Sequence, residues 1–152
     1  MIEHVWSVFC SRVLIDKDAN NVSLVDVIEQ FTLTVPPPIA DKPLVVPNDS
    51  ELVSLWSRAA DDRPCAGTCR VVWKTAAQEE KELISTGVDL TINRRLRTRL
   101  KIRGLLVQKA GRYEFRVDLR EEPDNTWKTV ARIPVEVGIG IGADAEPKKS
   151  TG

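Results

Sequence analysis

The chain has 152 residues, 42% of them hydrophobic and 29% charged, which suits one soluble domain with a proper core and is too little for two. Its 22 basic and 22 acidic side chains cancel, so no global field draws nucleic acid or an anionic membrane. No run nears the ~18 apolar residues of a membrane span, and MIEHVWSVFCSRVLID lacks the basic start and cleavage site of an export signal, so cytoplasmic residence is expected.

Extended segments follow one another along the chain. The first covers about 4–15 and ends at the turn DKDANN; the second covers about 22–35 and closes in the alternation FTLTV. PPPIADKPLVVPND, with its prolines, is neither helix nor central strand and predicts a long crossing loop or edge segment. SELVSLWSR, CRVVWK and ELISTGVDLTI are the next strands, separated by DDRPCAG and QEEK; AAQEEKEL has helix formers enough for one turn. NRR leads into LRTRLKIRGLLV, QKAG closes a hairpin to YEFRVDLR with Gly111 suited to positive φ, and TWKTVARIPVEV completes the set.

Period-two alternation with β-branched and aromatic residues predicts an all-β fold. The expected architecture is a single antiparallel β-sandwich of about seven to nine strands over residues 1–138, immunoglobulin-like or C2-like, with a flexible tail over 139–152. Trp6, Trp56, Trp73 and Trp127 all fall in strand segments and are expected to fill the space between two sheets.

Catalytic signals are weak. His4 is the sole histidine, and Cys10 on the same strand would lie roughly 20 Å away, so a Cys-His mechanism is not expected. No phosphate loop, nucleophile elbow or zinc-protease motif occurs. Cys10, Cys65 and Cys69 are read as reduced thiols; CAGTC with Cys10 and His4 makes a zinc set on paper, but one CxxxC pair is poor support for a structural site. No catalytic residue, metal ligand or cofactor site is therefore assigned.

Two charge groupings bear on partners. Arg97, Arg99, Lys101 and Arg103 line one face of one segment, with Arg94 and Arg95 at its start. Such a stripe can neutralise phosphates, but the following segment offers Glu114 and Asp118, the preceding one Asp89, and no aromatic interleaves to stack a base. Pairing within the sheet is expected, and nucleic acid is not. If strands simply run up and down, Asp16, Asp18, Asp61, Asp62, Glu121, Glu122 and Asp124 gather at one end with Arg63, Arg94 and Arg95, which is the composition of a calcium loop cluster or of ordinary acidic turns.

Trp6, Ser7, Val8 and Cys10, then Ile15 and Asp16, then Asn20, Ser23, Leu24, Val27, Ile28 and Glu29 follow the order W-S-V-x-C, I-D and N-x-x-S-L-x-x-V-I-E. With GRYEF and the closing Trp127, Val130, Ile133 and Pro134, the chain resembles a family of uncharacterised small bacterial proteins. The resemblance implies a small β-sandwich with no assigned activity. The expected function is a non-enzymatic protein-interaction module, contacting another protein and not a membrane, with homo-oligomers through edge strands a further option; a calcium- or anion-dependent ligand-binding domain is the alternative.

Overall fold

The computed structural model describes residues 1–35, 43–59 and 63–141. Within them run nine strands: β1 (Ile2–Ile15), β2 (Val22–Val27), β3 (Gln30–Val35), β4 (Leu44–Arg58), β5 (Cys65–Lys74), β6 (Glu80–Leu90), β7 (Arg95–Val107), β8 (Gly111–Glu121) and β9 (Lys128–Ile141). They form a sheet of order β2-β1-β4-β7 and a second of order β3-β9-β8-β5-β6, so the protein is all-β and sandwich-like.

The segment expected over 22–35 is two strands in different sheets. Asp26 takes φ 51°, a left-handed conformation that a short polar side chain tolerates. The Ile28 N–H still bonds to Phe9 O at 2.8 Å, and the chain then bends into the other sheet. The sandwich is not purely antiparallel either. β3 pairs with β9 in parallel, from Gln30 opposite Glu136 to Val35 opposite Ile141. A parallel pair needs a long crossover, and here most of the chain supplies it. This pairing carries β9 through residues 139–141, with Ile139 packed on the core. The expected tail beyond them lies outside the described residues.

The core forms where the inward residues of both sheets meet. Phe9 of β1 lies 4.5 Å from Phe115 of β8, and Phe115 lies 4.6 Å from Trp73 of β5, measured between ring centroids. Trp73 stacks on Tyr113 at 5.1 Å and donates its indole N–H to Leu106 O of β7 at 3.0 Å. The Tyr113 hydroxyl donates to Lys109 O at 2.8 Å and accepts from the Gln108 N–H, pinning the connection between β7 and β8. Trp56, wholly buried in β4, donates to Thr98 Oγ1 at 3.0 Å. The large rings thus have both apolar surroundings and a partner for each N–H or O–H, as buried Trp and Tyr require.

β7 and β8, neighbours in the chain, do not form a hairpin. β7 pairs with β4 at the edge of one sheet, while β8 sits inside the other between β5 and β9. Inward alternation explains the arrangement: Thr98, Leu100 and Ile102 of β7 and Tyr113, Phe115 and Val117 of β8 are all buried, so each strand turns its inner row into the space between the sheets. In the AAQEEKEL segment, residues 76–79 belong to a turn closed by the Gln78 N–H on Thr75 O, and β6 begins at Glu80.

Replacing Phe115 by Ala should remove the ring that touches both Phe9 and Trp73. Chemical denaturation should show a loss of about 3–5 kcal/mol, the range for an aromatic deleted from a packed core; a loss below ~1 kcal/mol would mean the two sheets do not meet through this ring.

Candidate functional site

The charged face of β8 is closed on itself. Asp118 is 2% exposed and stands opposite Arg70 of β5 and Thr129 of β9. It accepts from Arg70 Nε at 3.0 Å, Arg116 Nε at 3.0 Å and Thr129 Oγ1 at 2.9 Å. Arg116 Nη1 donates to Glu80 Oε1 at 2.6 Å, and Arg132 Nη1 to Glu114 Oε1 at 2.7 Å. Trp127 is covered by the guanidinium groups of Arg70 and Arg120, 4.3 and 4.7 Å from its ring centroid. Burial raises the Asp118 pKa, but the donors from Arg116, Thr129 and Arg70 outweigh it and hold the carboxyl below its ordinary 3.8.

This network changes the account of the basic stripe. Glu114 and Asp118 were the expected partners of Arg97, Arg99, Lys101 and Arg103, yet they lie in the other sheet and are held by Arg132, Arg70 and Arg116. The stripe has its own surroundings on the outer face of the four-stranded sheet. Arg99 clamps Glu51 of β4, with Nε to Oε1 at 3.1 Å and Nη2 to Oε2 at 3.2 Å. Arg97 donates to the backbone carbonyl of Asn20 and, at 3.2 Å, to its Oδ1. Asn20, at φ 54°, turns the tip of the β1–β2 hairpin toward β7. Arg95, Lys101 and Arg103 are exposed and have no carboxylate partner among the described residues.

Below these cations is an apolar floor. Cys10, Val13 and Val53 form a second buried cluster, apart from the main core, with Trp6, Val8, Val22 and Leu24 packed on it. Phe9 belongs to the main core while Cys10 and Val13 share the second cluster. Strict alternation would set Cys10 and Val13 on opposite faces, yet both pack in this cluster while the β1–β2 register runs unshifted from Cys10 opposite Val27 to Ile15 opposite Val22; the β1–β2 hairpin curls over the sheet and brings Asn20 to Arg97. The curl leaves a cleft of about 730 Å³ lined by Trp6, Ile15, Asn20, Leu55, Arg95 and Arg97, among others.

The remaining expectations divide. Trp56 and Trp73 fill the core as expected; Trp6 floors the outer cleft, and Trp127 precedes β9 on the outer face of the five-stranded sheet. These two are corrections, and their cause is that both sheets use their outer faces. A scan against protein-family models gives no match, and a search of curated proteins gives none.

Cys10, Cys65 and Cys69 are free thiols, and burial raises the Cys69 pKa to about 11, which suits a packed side chain better than a thiolate ligand. Among the described residues no three His, Cys, Asp or Glu side chains gather to hold a metal ion. Asp16 caps its own turn through the Asp18 N–H at 2.9 Å, Glu121 accepts from the Ile2 N–H at 2.9 Å, and Asp124 accepts from the Thr126 N–H at 3.0 Å. Asp61 and Asp62 lie outside the described residues.

His4 has a partner that sequence spacing to Cys10 did not suggest. Its Nε2 is 2.7 Å from Ser7 Oγ, which is 2.6 Å from Ser54 Oγ, and its ring meets the edge of Trp56 at 5.3 Å. The i, i+3 spacing works because the β1 register slips between His4 and Trp6. No carboxylate among the described residues bonds to the ring, so the third member that orients a catalytic base is not supplied from them. Burial lowers the His4 pKa below 6.5, partly offset by a hydrogen bond to the Trp6 backbone.

Asp118→Asn should leave two guanidinium groups without their shared anion, at a cost of about 3–5 kcal/mol in denaturant melts at neutral pH. Because the folded-state pKa is depressed, this stabilisation is complete above the unfolded value and fades as pH falls through the folded one; the gap between wild type and variant should narrow in acid. His4 acts with the opposite charge. Its folded pKa lies below 6.5, so an unfolded chain takes up the proton first, and stability should decline as pH falls below 6.5 until the folded value is passed. His4→Gln should flatten the melting temperature against pH in that window; an unchanged slope would assign it to other groups.

Proposed function

We propose that the protein is a non-enzymatic binding module that holds a partner protein on the outer face of its four-stranded sheet. The observation that carries this reading is the difference between the two outer faces. The face around Asp118 answers its charges internally. The face around β7 sets Arg95, Lys101 and Arg103, without carboxylate partners among the described residues, beside a cleft with an apolar floor. Exposed apolar surface rimmed by charge is the composition of an interaction site.

An immunoglobulin-like or C2-like architecture belongs to the same proposal. Two facing sheets of four and five strands support it, and the parallel β3–β9 edge departs from a wholly antiparallel version. The residues behind the resemblance to small bacterial sandwich proteins include Trp6, Val8, Cys10 and Asn20, which build the cleft or its floor. Nucleic acid ranks below protein because Trp6 is the one aromatic lining the cleft among the described residues, and a chain of zero net charge exerts little long-range pull.

A random peptide library panned against the protein tests the reading. Selected peptides should bind the triple variant Arg95→Gln/Lys101→Gln/Arg103→Gln about tenfold more weakly, a change of ~1.4 kcal/mol. The variant's own stability should stay within ~0.5 kcal/mol of wild type, as for exposed substitutions. Failure to enrich any peptide, or peptides indifferent to the three changes, would overturn the proposal.

A further inference from the structure

Among the described residues β7 pairs on one side only, with β4. An edge strand presents backbone N–H and C=O groups to a further strand. On β7 that edge is tied at its far end, where Leu106 O accepts from the Trp73 indole, and the stretch from Arg95 to Arg103 has no second strand beside it among the described residues. The same stretch carries its cations on alternate residues, with Leu96, Thr98, Leu100 and Ile102 turned inward.

Resting on the reading just given, we infer that the partner segment is an extended acidic peptide that adds to β7 as a further strand, with acidic and apolar residues in alternation. The spacing argues for it. Residues i and i+2 of a strand stand about 6.6–6.8 Å apart, so positions 95, 97, 99, 101 and 103 repeat at the interval of alternate side chains on a paired strand; Asn20 and Glu51 already hold Arg97 and Arg99, and Arg95, Lys101 and Arg103 are left for the acids of a partner. Directly opposed side chains on such a pair lie about 4.5–5.5 Å apart at Cβ. Acids at every second position therefore meet the outward row, and the intervening apolar residues extend the inward row of Leu96, Leu100 and Ile102.

Charge also selects against two competitors. A second copy paired through its own β7 would set like charges side by side, which is unfavourable. A single-stranded nucleic acid could match the cation interval through its phosphates, but it has no use for the backbone groups of the edge.

The test is binding of synthetic peptides long enough to span Arg95 to Arg103, measured at physiological salt. An alternating Glu-Val peptide should bind at least ~10-fold tighter than a peptide of the same composition with its Glu and Val residues in separate blocks. N-methyl groups placed on the alternate residues whose N–H faces β7 should abolish that advantage, and moving them to the other set of residues should restore it. Equal binding of the blocked peptide, indifference to N-methylation, or tighter binding of a single-stranded DNA oligomer would each overturn the inference. Library peptides that depend on Arg95, Lys101 and Arg103, with no affinity for the alternating peptide, would overturn it while leaving the binding module intact.

Discussion

The two sheets are joined through a short column of rings. Phe9 reaches from one sheet to Phe115 in the other, Phe115 leans on Trp73, and Trp73 stacks on Tyr113. The polar atoms of these rings tie into the backbone of the opposite sheet and of the β7–β8 connection. The column fixes the distance between the sheets and decides which row of each strand is inside. Everything on the outer faces follows from that choice, because a side chain one residue along is necessarily on the other side.

The outer faces then follow different rules. In the five-stranded sheet, β8 is central and has neighbours on both sides, so its charges find partners across two registers, and Asp118 can be buried at the cost of engaging Arg70, Arg116 and Thr129. In the other sheet, β7 is terminal among the described residues and has one neighbour to draw on. β4 offers it Glu51, flanked by Val53 and Leu55, and Arg99 takes it. The position of a strand in its sheet therefore governs how much of its charge is neutralised.

Much of this was legible in the sequence. The alternation of YEFRVDLR and LRTRLKIR placed the inward rows correctly, since period-two burial is a local property. Partner choice was not local. Chain adjacency of β7 and β8 suggested a hairpin, and alternation alone cannot tell a hairpin from an arch between facing sheets, because both bury the same rows. The packing of Cys10 and Val13 in one cluster was hidden too, because alternation sets them on opposite faces and the curl that joins them is not a local pattern. One signal for the cleft did exist. ELVSLW is apolar at both parities, with Leu52 and Trp56 inside and Val53 and Leu55 outside, which marks a strand covered on both faces. The partner of His4 was illegible, because it depends on a register slip that no composition announces.

The parallel pairing of β3 with β9 has a consequence in time. During synthesis at about 5–20 residues per second, the Gln30–Val35 stretch leaves the ribosome well before the strand beside which it will lie, so it waits on the order of 5–20 s. Phe31 and Leu33 are bare during that interval, in a segment of high β-propensity, until Val137 and Ile139 arrive to cover the edge. The nascent chain is thus most vulnerable to mispairing at β3, and maturation of this sheet is a late event, completed only when nearly all of the described chain has been made.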